Sequence, residues 1–208
     1  MERSPNPGRR NALTAGASLL IGLSSPRFAH AALSPTPAQA LGPFYPRVLP
    51  ADRDHDLVRI AGNARDAQGT IAWVEGRVSD TAGAPLSGAL VEIWQCDVHG
   101  RYLKPADDSG GPRDDNFQGY GQLSTGADGA YAFRTIRPVC YSGRPPHIHF
   151  QISHPSHRRL VTQLYTMEEG DSNAPGGYEA SFRSLWVSFT PSTREASALA
   201  TRFDIVLA

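Results

Sequence analysis

Residues 71–96 have the sequence IAWVEGRVSDTAGAPLSGALVEIWQC, in which two segments rich in β-branched and aromatic residues flank a turn. This composition predicts strands at 71–78 and 88–96 and a turn at 80–85. Similar segments recur along the chain: YGQLST (120–125), AYAFRTI (130–136), PHIHFQIS (146–153), RLVTQLYTM (159–167) and TRFDIVLA (201–208). Strands spaced roughly ten residues apart indicate an all-β fold, a single β-sandwich with long loops. We expect a hairpin across Gly126–Gly129 and mostly loop or short helix over 168–201.

The composition argues against two classes of protein. The chain has 208 residues, with 20 Lys and Arg against 20 Asp and Glu, so its formal net charge is zero. A nucleic-acid binder would need a basic face, which this balance argues against. The 20 Gly and 17 Pro, combined with short apolar segments, also argue against an all-helical protein.

The N-terminus has the features of an export signal. Arg9 and Arg10 precede the uncharged segment ALTAGASLLIGL (12–23), and an A-x-A cleavage site follows at 29–31. The paired arginines favour twin-arginine export, with general secretion or an uncleaved anchor as alternatives. The apolar segment is shorter than the roughly 20 residues of a spanning helix. We therefore expect a signal peptide at 1–31, an ordered N-terminal arm at 32–69 and the sandwich at 70–208, in a periplasmic or secreted protein with no membrane span after cleavage.

An oxidising compartment would permit a disulfide between the two cysteines, Cys96 and Cys140. Two buried thiols are the alternative, because cysteine is common in strand cores. The sequence does not fix the distance between them, so both states remain open at this stage.

Two histidines stand out in the alternating segment 146–153. In a strand, side chains at i and i+2 share a face, so His147 and His149 point to one side while Ile148 and Phe150 point into the core. Such a pair can bind Zn, Cu or Fe, although many H-x-H pairs are simply surface or hydrogen-bonded side chains. The other histidines lack a comparable setting: His30, His55, His99, His154 and His157.

Two tyrosines lie near this pair in the sequence. Tyr141 occurs in a loop stiffened by Pro138, Pro145 and Pro146, and Tyr102 follows the strand predicted at 88–96. Tyrosine usually packs in the core with its hydroxyl satisfied. A phenol with a pKa near 10 becomes a phenolate at neutral pH only beside a strong Lewis acid. Two tyrosines with two histidines would suit Fe(III), a hard cation that accepts phenolate oxygen.

Three segments resemble the intradiol ring-cleavage dioxygenases: GRVSDTAGAPLSGALVEIWQCDVHGRY (76–102), DDNFQGYGQLSTGADGAYAFRTIRPVCYSGRPPHIHF (114–150) and LVTQLY (160–165). These nonheme Fe(III) enzymes split catechols between the two hydroxyls. The resemblance implies that Fe(III) acts as Lewis acid and template. The substrates would be a catechol-type diol and O₂, and the product a cis,cis-muconic acid derivative formed in aromatic compound catabolism.

The resemblance also implies a role for each matching residue. Tyr102 corresponds to the tyrosinate that the family retains on iron and Tyr141 to the one that substrate displaces. His147 and His149 correspond to the histidine ligands. Arg144 and Gln163 correspond to residues beside the ring that stabilise its developing charge, although Arg144 could be a solvated loop charge and Gln163 a cross-strand hydrogen-bonding residue.

Departures from the family pattern concern the substrate pocket. The 141–147 loop is short, Ser142 stands where proline is usual, and Cys140 and Leu41 replace residues more common in relatives. Tyr45 in the arm is either a pocket wall or a packing residue. Catechol, protocatechuate, hydroxyquinol and larger aryl diols all remain open as substrates, as do the formation of a homo-oligomer and the need for a second chain type.

Two other interpretations remain at this stage. The pattern over 76–93 also resembles prealbumin-like and carboxypeptidase-regulatory-like sandwiches, which bind or support without catalysing. That alternative leaves the tyrosines and the histidine pair unexplained. A cupin-like or copper site would instead require a third histidine or a cysteine ligand, for which the sequence offers no convincing candidate.

Overall fold

A computed structural model describes residues 1–2, 32–103, 107, 110–167 and 180–208. The predicted export signal, apart from its first two residues, therefore lies outside the described residues. Within them the chain forms nine strands: β1 (Ile71–Asp80), β2 (Leu90–Trp94), β3 (Tyr120–Ser124), β4 (Ala130–Ile136), β5 (His147–His154), β6 (His157–Tyr165), β7 (Thr190–Pro191), β8 (Leu199–Arg202) and β9 (Ile205–Leu207). One 3₁₀-helix spans Ala180–Leu185. No helix in this part of the chain has the length and apolar character needed to cross a bilayer.

The strands form two sheets, as an all-β sandwich requires. The first sheet has the order β4-β1-β8-β7, and β9 also pairs with β1. The second has the order β3-β2-β5-β6, with antiparallel neighbours throughout. Apolar side chains from the facing sides of both sheets fill the space between them, among them Val74, Phe133, Ile93, Ile148 and Phe150. Burial of this alternating set is the main source of the sandwich's stability.

The C-terminal segment pairs with β1 in two pieces. β8 pairs in parallel with the first half of β1 and β9 with its second half. At the junction a Cβ on Gly76 would lie 2.0 Å from the carbonyl oxygen of Phe203, so only glycine fits there. The single strand expected over 201–208 is therefore split, and β7 and β8 occupy part of the segment expected to be loop or short helix.

The expected hairpin between residues 120–125 and 130–136 is wrong. The chain does turn at Gly126–Gly129, where Gly129 donates its N–H to the carbonyl of Gly126. However, β3 pairs with β2 in the second sheet and β4 pairs with β1 in the first. The turn residues show that the chain reverses direction, but the choice of partner strand depends on contacts with distant segments.

The arm crosses from one sheet to the other. Thr36 donates its N–H to Val206 in β9, and Gln39 donates its N–H to Val161 in β6. The arm then lies on the outer face of the second sheet, beside the loop that follows β2. A second apolar cluster forms there from Trp94, Cys96, Tyr102 and Tyr120, with Phe44, Tyr45 and Tyr141 packed against it. This outer face carries the candidate site.

Candidate metal centre

The two histidines of β5 lie side by side on the outer face of the second sheet. Their ring centroids are 4.9 Å apart, and each residue is only 1% exposed. Ile148 between them is fully buried in the central core. The period-two alternation of the strand therefore directs both imidazoles away from the core, as the sequence predicts.

The structure brings Tyr102 and Tyr141 to these histidines. The Tyr102 hydroxyl lies 3.3 Å from Nε2 of His147, and its ring centroid is 6.0 Å from that of His149. The ring centroid of Tyr141 lies 5.3 Å from that of Tyr102 and 5.3 Å from that of His147. The four candidate ligands thus converge, although they come from β5 and two separate loops.

His147 is held in the tautomer that a metal ligand needs. Its Nδ1 lies 2.7 Å from the carbonyl oxygen of Pro145, which can only accept, so Nδ1 carries the proton. Nε2 therefore presents a lone pair toward Tyr102. Burial lowers the pKa of His147 to about 4, which keeps the ring neutral near neutral pH. A backbone carbonyl that fixes the far nitrogen is a common second contact of metal-binding histidines.

His149 is buried, and neither ring nitrogen has a hydrogen-bond partner among the described residues. Its ring stacks on Trp94 with centroids 4.9 Å apart and an interplanar angle of 8°, which fixes its orientation. Burial, followed by the neighbouring His147 and Arg144, holds the pKa of His149 well below its usual range. An unpartnered buried polar group needs an explanation, and a bound ion is one of them. A neutral imidazole beside two phenols and a second imidazole fits a hard trivalent cation.

Buried carboxylates set the position of Tyr102. Asp107 accepts the Tyr102 N–H at 3.0 Å and pairs with Arg101 at 3.1 Å. Asp97 accepts the N–H groups of His99, Arg101 and Asp114. Tyr102 itself is 2% exposed, and burial raises the pKa of its phenol, followed by Cys96 and Tyr141. Without a cation this hydroxyl would stay protonated.

A tight turn carries Tyr141 and Arg144. Arg144 donates its N–H to the carbonyl of Tyr141, and Ser142 and Gly143 between them have positive φ values of 47° and 74°. Arg144 donates from Nη1 to the Tyr141 hydroxyl at 3.4 Å and from Nη2 to Oε1 of Gln163 at 2.8 Å. Arg144 and Gln163 thus lie at the site, with the guanidinium held between a candidate ligand and β6.

Sequence reasoning missed Tyr165. Its hydroxyl lies 3.1 Å from Oε1 of Gln163 and 3.2 Å from Oε1 of Gln39, so its single proton is shared between two amide oxygens. These contacts orient the Gln163 amide, with its oxygen toward Arg144. The sequence shows only that Tyr165 is two residues beyond Gln163 and so shares its face in a strand. Its pairing in register with His147 is visible only in the structure.

Two further histidines lie at the other end of β5 from His147. His154 and His157 contact each other at the β5–β6 turn, with their Nδ1 atoms 3.3 Å apart.

Cys96 and Cys140 are not joined by a disulfide, and the Cys96 thiol contacts the Val139 carbonyl at 4.0 Å. Within the described residues, no group of three or more His, Cys, Asp or Glu side chains is arranged to hold a metal ion. A cupin-like or copper site would need such a third ligand.

Comparisons with known proteins show which family the chain resembles. The family model described as "Dioxygenase" matches residues 41–208. The chain is 37% identical over 183 residues to the protocatechuate 3,4-dioxygenase beta chain of Burkholderia cepacia, covering 82% of this chain and 74% of that protein. It is 32% identical to a hydroxyquinol 1,2-dioxygenase of Corynebacterium glutamicum, covering 83% of this chain and 64% of that one.

Solved structures show the same likeness. The dioxygenase domain of a dioxygenase–carbohydrate-binding protein fusion from Streptomyces sp. SirexAA-E superposes with a TM-score of 0.64 at 31% identity, covering 84% of this chain and 98% of that one. The hydroxyquinol 1,2-dioxygenase of Pseudomonas putida DLL-E4 gives a TM-score of 0.61 at 26% identity, covering 87% of this chain and 68% of that one. The chain therefore belongs to the intradiol ring-cleavage dioxygenases.

Proposed function

We propose that this protein is a nonheme Fe(III) dioxygenase that uses O₂ to cleave a catechol-type diol between its hydroxyls, giving a cis,cis-muconic acid derivative. The observation that carries the proposal is His149. It is a buried, neutral imidazole without a hydrogen-bond partner among the described residues, and its ring lies beside those of His147 and Tyr102, which Tyr141 in turn contacts. Such an arrangement would be costly in a protein that bound no metal there.

Four side chains would hold the metal: Tyr102, Tyr141, His147 and His149. Two phenolates and two neutral imidazoles suit Fe(III), because phenolate oxygen is a hard, anionic donor. Bound there, the ion would act as a Lewis acid for the diol and as a template that orients it. This donor set distinguishes the site from zinc sites, which favour cysteine, histidine and carboxylate ligands.

The two tyrosines differ in their freedom to move. Tyr102 is buried, and its backbone is fixed by Asp107, so it is suited to remain in place when a diol binds. Tyr141 is only half-buried, and its hydroxyl contacts Arg144 at 3.4 Å, a long hydrogen bond. We assign Tyr141 the role of the group that swings aside and takes one hydroxyl proton from the diol, leaving the diol anionic.

Arg144 would stabilise negative charge that develops on the substrate ring. Its guanidinium is fixed before the substrate arrives, because Gln163 accepts from Nη2 and Tyr165 orients Gln163. A preorganised cation in a site with little water is worth more than the same cation in solvent. Gln163 and Tyr165 thus act on the substrate through Arg144.

Oxygen uptake measured with a panel of diols tests this function. The panel would contain catechol, protocatechuate, hydroxyquinol and an alkyl catechol, with the product identified by its ultraviolet spectrum and mass. Uptake of one O₂ per diol, with both oxygen atoms recovered in a muconate-type product, is the expected result. An iron-loaded protein that consumes no O₂ with any of these diols would contradict the proposal.

We also propose that residues 1–31 direct export to the periplasm or beyond, on the basis of Arg9, Arg10 and the small apolar segment that follows. Replacing both arginines by lysine should leave the protein uncleaved in the cytoplasm if the twin-arginine route is used. Cell fractionation with an antibody to the sandwich measures this. Unchanged export of the double-lysine variant would indicate the general secretory route.

A further inference from the structure

A buried glutamate lies behind the metal centre and has no role in the function proposed above. Glu92 on β2 is 5% exposed, and no ion pair joins it to a cationic side chain in the described part of the chain. Its Oε1 accepts from the hydroxyls of Tyr45 at 2.8 Å and Tyr120 at 2.7 Å, and its Oε2 accepts from Nε2 of Gln151 at 2.6 Å. A buried carboxyl group is tolerated only when donors such as these satisfy it.

The three donors come from different parts of the fold. Tyr120 and Gln151 belong to the strands on either side of β2, and Gln151 pairs with Glu92 in register. Those two contacts lie within the sheet. Tyr45 belongs to the arm, so its hydroxyl connects the arm to a fixed acceptor in the middle of the sheet. Burial, followed by Glu92, raises the pKa of both phenols, so both remain donors.

The arm residues just before Tyr45 contact the metal centre. Phe44 stacks on Tyr102 with centroids 4.5 Å apart and an interplanar angle of 8°, and its ring lies edge-on to Tyr141 at 5.9 Å. A Cβ on Gly42 would lie 3.4 Å from Cε1 of His149. A displacement of residues 42–44 would therefore change the surroundings of three candidate ligands, Tyr102, Tyr141 and His149.

Tyr45 also contacts the ring that supports His149. It meets Trp94 edge-on at 5.0 Å and 90°, and Trp94 stacks on His149. Backbone hydrogen bonds hold the start of the arm at Thr36 and Gln39, whereas the ring contacts of Phe44 and Tyr45 restrict orientation more than position. The hydrogen bond to Glu92 fixes the position of Tyr45, because it requires the hydroxyl to reach one particular oxygen.

We propose that the Tyr45–Glu92 hydrogen bond fastens the arm over the metal centre, so that Tyr45 and Glu92 are positioning residues for Phe44 and, through Phe44, for a substrate bound beside Tyr102 and Tyr141. The effect on substrate rests on the proposed function. The effect on the arm does not, since it concerns contacts of the protein alone. The two parts therefore have separate readouts.

Hydrogen exchange of the metal-free protein tests whether the hydrogen bond fastens the arm. Tyr45→Phe keeps the ring on Trp94 and removes the hydroxyl, and Glu92→Met removes the acceptor. Tyr45→Phe should speed exchange across residues 36–46 by about fivefold to tenfold, as expected for the loss of one buried hydrogen bond. Glu92→Met also removes the acceptor of Tyr120 and Gln151, so it should speed exchange at least as much. Glu92→Gln is the conservative rescue, because its amide oxygen can still accept from both tyrosines if Gln151 turns its own amide. Tyr131→Phe is the matched control, since it removes a buried phenol bond to the Phe203 carbonyl in the other sheet.

Exchange over 36–46 that is unchanged in folded Tyr45→Phe and Glu92→Met would overturn the proposal, whatever the protein catalyses. Equal acceleration in Tyr131→Phe would also overturn it, because the effect would then be a general loss of stability.

Steady-state kinetics of the iron-loaded variants test the effect on substrate binding. We expect KM for the diol to rise by about fivefold to tenfold with kcat changed less than twofold, as for lost uniform binding. A fall in kcat at constant KM would refute the role of Tyr45 and Glu92 in substrate binding. If the wild-type protein showed no turnover while the arm loosened as expected, the proposed function alone would fail.

Discussion

The Tyr102 hydroxyl lies 3.3 Å from Nε2 of His147, although the two residues are 45 positions apart in the chain. The carbonyl of Pro145 accepts a hydrogen bond from Nδ1 of His147, and the carboxylate of Asp107 accepts one from the backbone N–H of Tyr102. A phenol and an imidazole are thus directed at each other by separate supports. His149 and Tyr141 complete the group, and the following predictions test what this group does.

His149→Leu should abolish iron binding without weakening the metal-free fold. Both ring nitrogens of His149 are buried and without hydrogen-bond partners among the described residues, so an apolar side chain removes an unfavourable burial. We expect the Tm of the metal-free protein to stay the same or rise by about 2–4 °C, with iron content near zero. His55→Leu, at an exposed position, is the control. A large fall in Tm would indicate a structural histidine instead.

Tyr102→Phe and Tyr141→Phe should differ in their effects. Tyr102 is the buried phenol, and its loss should remove stable iron binding and turnover together. Tyr141 is half-buried, and its loss should leave iron bound while kcat falls on the order of 10²-fold, as expected for a lost proton acceptor. Metal analysis and single-turnover kinetics measure both. Equal iron loss in the two variants would contradict the assignment of a fixed and a movable tyrosine.

Arg144→Lys should lower kcat on the order of 10²-fold or more, because lysine keeps the charge but cannot contact Tyr141 and Gln163 with one planar group. Tyr165→Phe should give a smaller fall in kcat, since it only frees the Gln163 amide. Arg77→Lys on the first sheet, where Arg77 forms an exposed pair with Asp128, should leave kcat unchanged. Full activity in Arg144→Lys would place this residue outside the chemistry.

Acid should weaken the first sheet through Glu195. Arg134 donates to both of its carboxylate oxygens, at 2.9 and 2.7 Å, and Trp73 donates at 2.9 Å. The Arg134 hydrogen bonds hold the pKa of Glu195 below its usual 4.5. The contribution to stability is therefore complete above the unfolded pKa and disappears as the pH falls through the lower, folded value.

Urea unfolding of the metal-free protein between pH 3 and pH 7 measures this effect. The difference in the free energy of unfolding between wild type and Glu195→Gln should be constant above pH 5 and shrink below it. A difference that grows on acidification would reverse the sign of the linkage and contradict the assigned contacts.

Local sequence patterns predicted the elements but not all of their partners. The alternation of His147–Ile152 placed both histidines on one face, because side-chain direction in a strand depends only on position. The β3–β4 turn was also recognisable, but its strands join different sheets, because pairing there is decided by β1 and β2. Strand pairing between distant segments is not encoded in the turn residues.

The site shows the same division. The resemblance to known dioxygenases supplied Tyr102, Tyr141, Arg144 and Gln163, since those residues stand in matching motifs. Tyr165 and Glu92 were missed, because a tyrosine or a glutamate within a strand segment predicts ordinary packing or an exposed face. Only the three-dimensional arrangement shows that Tyr165 orients Gln163 and that Glu92 accepts a hydrogen bond from the arm.

The visible absorption spectrum of the purified, iron-loaded protein tests the central claim most directly. Tyrosinate bound to Fe(III) should give a broad visible band and a red protein, and a catechol added without oxygen should shift that band. Tyr102→Phe should lose the band or weaken it strongly. A colourless protein that retains no iron would contradict the account and leave a sandwich whose buried histidines serve some other purpose.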